Sequence, residues 1–184
     1  DLSAREVPPF PDFLSDMLPK VEGLKGKPPP PLTIELARAQ LAVTLEEKVP
    51  LMVSALGTPR WLIDECHRAG TKVMSMVGSV RHARKLEEAG VDAIVAQGME
   101  AGGHVGTVTT LVLVPSVVDA VKIPVLAAGG IIDGRGIAAG LMLGAQGAWI
   151  GTRFIATEEA TTHENHKKGI LQADEHGTIV SYCY

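Results

Sequence analysis

The sequence predicts an α/β fold of the (β/α)8 TIM-barrel type, represented by about five βα units, and three observations predict it. Short runs that are apolar throughout alternate with segments whose apolar positions recur at helical spacing, the pattern of a parallel sheet covered by helices. The alternation repeats every roughly 20 to 30 residues, the length of a βα step. Each glycine cluster follows the C-terminal end of a strand-like run, where barrel enzymes place their sites. A doubly wound sheet fits the first two observations; the third favours the barrel.

Residues 1–31 carry a dense scatter of prolines, Pro28-Pro29-Pro30-Pro31 among them, which fix φ and remove backbone donors. They are expected to form a loop or linker ahead of the partial barrel at 32–184. Leu36, Ala37, Leu41 and Leu45 mark an amphipathic helix over 32–48. A buried strand follows over 49–55, then Thr58 as cap and Pro59 as first residue of a helix running to Ala69-Gly70. The series continues with a strand at 72–77, a Gly78-Ser79 turn, a helix at 80–88 and a strand at 91–96. Beyond these come a helix at 111–121, a strand at 124–128, a helix at 134–143, a strand at 148–150 and a polar helix at 158–172. A β-like run over 178–182 closes the chain. Because it starts at Asp1 and stops at Tyr184 just past that run, the chain is expected to be part of a longer barrel.

Hydrophobic residues make up 46% and charged residues 21% of 184, enough apolar material for one sizeable core. A formal net charge of -4 without a basic stripe argues against nucleic acid as a partner. No apolar run is long enough to span a membrane, and the acidic first residues are not those of a signal peptide, so a cytoplasmic protein is expected. Cys66 and Cys183 are too few and too far apart for a disulfide framework or structural zinc; Cys66 reads as a core residue. His163 and His166 are three apart, not the four of a zincin helix, and read with the pair Lys167-Lys168 as a solvated helix face. His67 and His82 read as surface residues.

The most informative segment is 97–106, Gln97-Gly98-Met99-Glu100-Ala101-Gly102-Gly103-His104-Val105-Gly106, a glycine-rich loop directly after an apolar run. Glycine lets a backbone take positive φ and approach a ligand closely, and histidine is the side chain suited to proton transfer near neutral pH. Two later strand ends repeat the arrangement, at Gly129-Gly130 and at Trp149-Ile150-Gly151-Thr152. Backbone N–H groups at such turns and helix N-termini bind phosphate, so a phosphorylated cofactor is expected. Each motif also has a plain reading: the glycines as strand-to-helix turns, His104 as a loop residue bonded to backbone, Gln97 as a satisfier of backbone groups. Glu100 is expected to orient the loop through its N–H groups or to face solvent. Trp149 fits either the core or a phosphate site.

The ordered series G-x-E-A-G-G-H-x-G, P-V-L-A-A-G-G-I and Gly151-Thr152-Arg153-Phe154 resembles the nitronate monooxygenases, a flavin-dependent barrel family, over about 49–171. The resemblance implies FMN as cofactor and oxidation of alkyl nitronates, and of nitroalkanes, by O2 to a carbonyl compound and nitrite. By the same resemblance Gln97, Gly102 and Gly103 contact the flavin, and Gly129 and Gly130 sit at its phosphate. Trp149, Ile150, Gly151 and Thr152 complete the phosphate site, and His104 is the catalytic base. Val105 departs from the pattern, since many members carry arginine there. Two alternatives stay open. One is an FMN-dependent enoyl-thioester reductase, a related family with a Gly-Gly-His loop; the other is a non-catalytic partial barrel that associates through an open sheet edge, as a homo-oligomer for instance.

Overall fold

The computed structural model describes residues 33–180. The proline run, Cys183 and the last residues of the 178–182 run lie outside them, and Thr178, Ile179 and Val180 form no strand. Five strands, β1 Leu51–Ser54, β2 Lys72–Val77, β3 Ala93–Gln97, β4 Val125–Ala128 and β5 Gly147–Trp149, form one sheet in the order β1-β2-β3-β4-β5. Every neighbouring pair is parallel, as in Met52 opposite Val73, Ser75 opposite Ile94, Val95 opposite Leu126 and Ala127 opposite Ala148. The strand order never reverses, so the sheet has no switch point of the doubly wound kind; it is an arc of a (β/α)8 barrel.

The helices are α1 Ile34–Glu46, α2 Arg60–Arg68, α3 Val80–Glu88, α4 Thr110–Val118, α5 Gly134–Met142, α6 Thr152–Ile155 and α7 Glu164–Gln172. Their starts follow local chemistry. Thr33 accepts from the N–H of Leu36 at 3.2 Å and Ser79 from that of His82 at 3.4 Å, each satisfying an orphan donor of the first turn. Thr58 does not cap α2. Pro59 occupies the cap position without a side-chain bond, while the Thr58 hydroxyl lies 2.7 Å from that of Ser75 across the top of β2. With the helix starting at Arg60, Thr58 stands one residue outside the cap and its hydroxyl is engaged by Ser75 instead.

The polar helix expected over 158–172 is shorter, α7 Glu164–Gln172 capped by His163, and a short unexpected helix, α6, precedes it directly after Gly151. The His163 ring accepts from the N–H of Asn165 and stands in for a Ser or Asp cap, a role that helical spacing does not reveal. Lys167 is buried rather than solvated; its Nζ donates to the Glu158 carbonyl at 3.3 Å and lies 3.5 Å from Glu164, tying α7 to the preceding loop. Its aliphatic stem covers apolar surface while the ammonium finds acceptors.

Strand residues alternate between two faces. Val73, Val77, Ile94, Ala96, Val125 and Ala127 pack under the helices with Leu62, Ile63, Cys66, Leu113, Val114 and Val117. Burial pushes the Cys66 thiol above its usual range, with Glu65 and Asp92 adding to the effect, so it is an inert core group. The opposite, concave face holds only Met74, Val95 and Ala128 buried, with Val53, Met76, Ala93 and Leu126 partly covered. Gln97 and Trp149 lie in register on this face, at the C-terminal ends of β3 and β5. Among the described residues no helix is long and apolar enough to cross a membrane.

Candidate active site

The loop after β3 is held from both sides. The N–H of Gly98 donates to the Ala128 carbonyl at 2.9 Å, and that of Met99 to the Val108 carbonyl at 2.9 Å, closing the loop on itself. Thr109 gives α4 no side-chain cap; the carboxylate of Glu100 takes over, accepting from the N–H of Thr110 at 2.9 Å and from its hydroxyl at 2.8 Å. A carboxylate at a helix start satisfies a free donor and complements the helix dipole. Glu100 therefore orients the loop through one N–H of the next helix, a partner ten residues away.

Several of the glycines serve this packing. A Cβ on Gly98 would stand 2.1 Å from the Thr110 hydroxyl oxygen, and one on Gly129, where φ is +110°, would stand 2.5 Å from the same atom. The β3 and β4 ends thus converge on Thr110, whose hydroxyl also lies within 3.1 Å of the Gly129 carbonyl. A Cβ on Gly106 would lie 3.1 Å from the Gly78 carbonyl oxygen, so the loop backbone rests on the β2 turn. Thr110 is the residue that sequence reasoning missed; the Glu-x9-Thr spacing across a loop has no local signature.

A groove of about 1070 Å3 opens at these strand ends, lined among others by Gln97, Gly102 and His104. The Gln97 amide donates to the Gly102 carbonyl at 3.5 Å, so the strand end steadies the loop that carries His104. His104 is exposed on that loop. Leu56 stands on the rim at φ +58°, a left-handed conformation that is unusual for a branched side chain.

The remaining candidates do not line this groove, but their loops adjoin it. A Cβ on Gly102 would be 3.8 Å from the Thr152 hydroxyl, and one on Gly130 would be 3.6 Å from the Glu100 Cβ. Gly130 has φ +67°, Gly103 has φ +81°, and nothing stands within 4 Å of a Cβ on Gly103 or Gly151. Backbone at these positions is therefore open to close approach, which fits a phosphorylated cofactor lying over the three turns. Trp149 is 37% exposed on the concave face, whereas Ile150 packs against the helix-side core. The start of α5 is not a vacant phosphate site: the Asp133 carboxylate accepts from the N–H groups of Arg135 and Gly136 and pairs with the Arg135 guanidinium. The Arg135 side chain, and then those N–H groups, hold the Asp133 carboxyl down to about 2, so it is ionised there and an anion at the same amides would meet a negative charge.

A parallel βα arc with glycine turns gathered at its strand C-termini defines the class: a βα-barrel protein. The sequence profile of the nitronate monooxygenase family matches residues 20–183, and the chain belongs to that family. It is similar to the (3aS,4S,5R,7aS)-5-hydroxy-7a-methyl-1-oxo-octahydro-1H-indene-4-carboxyl-CoA dehydrogenase of Rhodococcus jostii, 43% identical over 142 residues, 77% of this chain and 40% of that relative. Among solved structures it is similar to FabK from Thermotoga maritima (48% identity, TM-score 0.73, 77% of this chain and 46% of that one). It also resembles the nitroalkane oxidase from Streptomyces ansochromogenes (42% identity, TM-score 0.68, 72% of this chain and 42% of that one). The chain thus spans about two fifths of the length of the curated relatives it matches.

Proposed function

We propose that the chain carries the flavin- and substrate-facing half of an oxidoreductase that binds FMN and oxidises alkyl nitronates, and nitroalkanes, with O2. The observation that carries this reading is the convergence of Gln97, Gly102 and His104 on one groove, beside three loops whose glycines leave the backbone open. Family membership and the likeness to the nitroalkane oxidase support it. In this reading Gly102, Gly103, Gly130, Gly151 and Thr152 hold the cofactor, with Gln97 and Trp149 near its ring; Gly129 contributes by packing the β4 turn against Thr110, and Ile150 by anchoring β5. Bound there, FMN would supply the electron acceptor, chemistry that side chains lack.

The protein's own part is proton transfer and charge stabilisation. His104 removes the proton from the carbon α to the nitro group as a positioned general base. The product nitronate is anionic, and N–H groups of the glycine loop stabilise it. Gln97 positions the loop through the Gly102 carbonyl.

The test is FMN binding followed by oxidation of a preformed nitronate and of the matching neutral nitroalkane. Binding together with O2-dependent nitrite release supports the reading. A second reading is an FMN-dependent reductase or dehydrogenase of a thioester, favoured by the likeness to a carboxyl-CoA dehydrogenase. Rapid flavin reduction by NADPH with turnover of an enoyl thioester, and no nitrite, would establish it over the first.

A further inference from the structure

The groove does not end at His104. It continues past Gly78 and Ser79 onto α3, where Arg81, His82 and Lys85 line it. The chain as a whole is acidic, with a formal net charge of -4, yet no Asp or Glu is among the groove's lining residues. Charge is therefore segregated into this space, and a cleft lined by one sign of charge concentrates ligands of the other.

Two further observations bear on these cations. Arg38, Arg60, Lys72 and Arg135 each pair with a carboxylate, whereas no ion pair among the described residues engages Arg81 or Lys85. Arg81 and His82 also occupy the first turn of α3, where the helix dipole favours carboxylates, and Arg81 stands four residues from Lys85, a like-charge spacing that weakens a helix. An anion bound between them would reverse both penalties.

We propose that Arg81, His82 and Lys85 form a subsite for the phosphate-bearing arm of a ligand whose reactive end reaches Gln97 and His104. Guanidinium and ammonium groups on one helix face suit phosphate oxygens through charge-assisted hydrogen bonds. The apolar stretch between, at Met76, Val77 and Val108, suits an aliphatic linker. Two carriers share this chemistry, a coenzyme A thioester and a nicotinamide dinucleotide phosphate. The inference rests on the groove being the substrate channel of the proposed oxidoreductase, and it adds that the ligand is larger than a simple nitroalkane.

The test uses the full chain and a binding readout, isothermal titration with coenzyme A, pantetheine, NADPH and NADH, in the wild type and in Arg81→Glu and Lys85→Glu, singly and combined. Coenzyme A binding that exceeds pantetheine binding, or NADPH binding that exceeds NADH binding, identifies the carrier. The double variant is expected to lose about tenfold or more in affinity for that carrier and to bind its phosphate-poor counterpart unchanged. Arg81→Glu should melt no lower than the wild type, because the new carboxylate suits the helix start, so loss of binding cannot be ascribed to unfolding. Equal affinity for both members of each pair, or affinity unaltered by the double substitution, would overturn the subsite. FMN titration of the same variants separates the two ideas: flavin bound but no carrier refutes the subsite alone, while carrier bound without flavin refutes the oxidoreductase reading alone.

Discussion

The two ends of the sheet are tied down by opposite means. At the N-terminal end, charged side chains do the work: Asp92, one residue before β3, accepts from His67 at 2.7 Å, from Lys72 at 2.8 Å and from the N–H of Val73 at 2.8 Å. Glu87 accepts from the N–H groups of Lys122 and Ile123, and the Thr71 hydroxyl donates to the Val49 carbonyl. At the C-terminal end glycines let the loops close on one another, Gly78 backbone against Gly106 and Gly98 and Gly129 against the Thr110 hydroxyl, which Glu100 also holds, while Gln97 and His104 line a groove. Charged ties gather at one end and the glycine-packed groove opens at the other, the layout of a barrel. It follows that substitutions at the N-terminal end should leave ligand binding at the groove unmoved.

The largest expected effect is on rate. His104→Asn should slow oxidation of a neutral nitroalkane by roughly 10^2- to 10^4-fold, the usual worth of a positioned base, while sparing the preformed nitronate and the melting temperature. Equal loss on both substrates would remove His104 from proton transfer. Next, Gly98→Ala forces a methyl group onto Thr110 and should destabilise the protein by about 1 to 3 kcal/mol, the range for overpacking, with loss of the loop's closing bonds. Urea unfolding checks it, and an unchanged midpoint would show that the β3 and β4 turns part without cost.

Asp92→Asn probes the other end. Burial raises the Asp92 carboxyl, but the bonds from Lys72, the Val73 N–H and His67 more than offset it and bring it down to about 2. Since the folded value lies below the ordinary 3.8, its contribution is fully present above about pH 4 and is lost as the pH falls toward 2. That shift corresponds to about 2 kcal/mol at neutral pH. The substitution should flatten the acid limb of the stability profile without changing flavin affinity; a coupled loss of both would break the two-end division. Glu100→Ala, which leaves the Thr110 N–H without its cap, should cost about 1 kcal/mol, and Asp64→Asn, in an exposed pair with Arg60, at most about 0.5 kcal/mol.

Much of this architecture is legible in the sequence because strand and helix periods differ so plainly. The strand at 72–77 and the helix at 80–88 fall where apolar runs, a Gly-Ser turn and Ser79 put them. Gln97, Gly102 and His104, which a glycine-crowded loop around one histidine brings to notice in the sequence, line one groove. What escapes is tertiary. The packing of Gly129 against Thr110 has no sequence signal, Thr58 reads as a cap until Ser75 engages its hydroxyl, and Lys167 as solvated until the Glu158 carbonyl meets it. The charge segregation on α3 is invisible in net charge, because Glu87 and Glu88 lie on the same short helix and mask it.

The central claim is that the open turns at the C-terminal end hold FMN, and Gly151 tests it most directly. Its φ is -108° and nothing stands within 4 Å of a Cβ there, so Gly151→Val adds a side chain without strain on the fold. The measurement is flavin-fluorescence quenching on titrating FMN into the wild type, Gly151→Val and Asp92→Asn. Saturable one-to-one binding in the wild type and in Asp92→Asn, weakened strongly in Gly151→Val, is the predicted result. FMN binding that Gly151→Val leaves intact, or no binding by any of the three, would contradict the account.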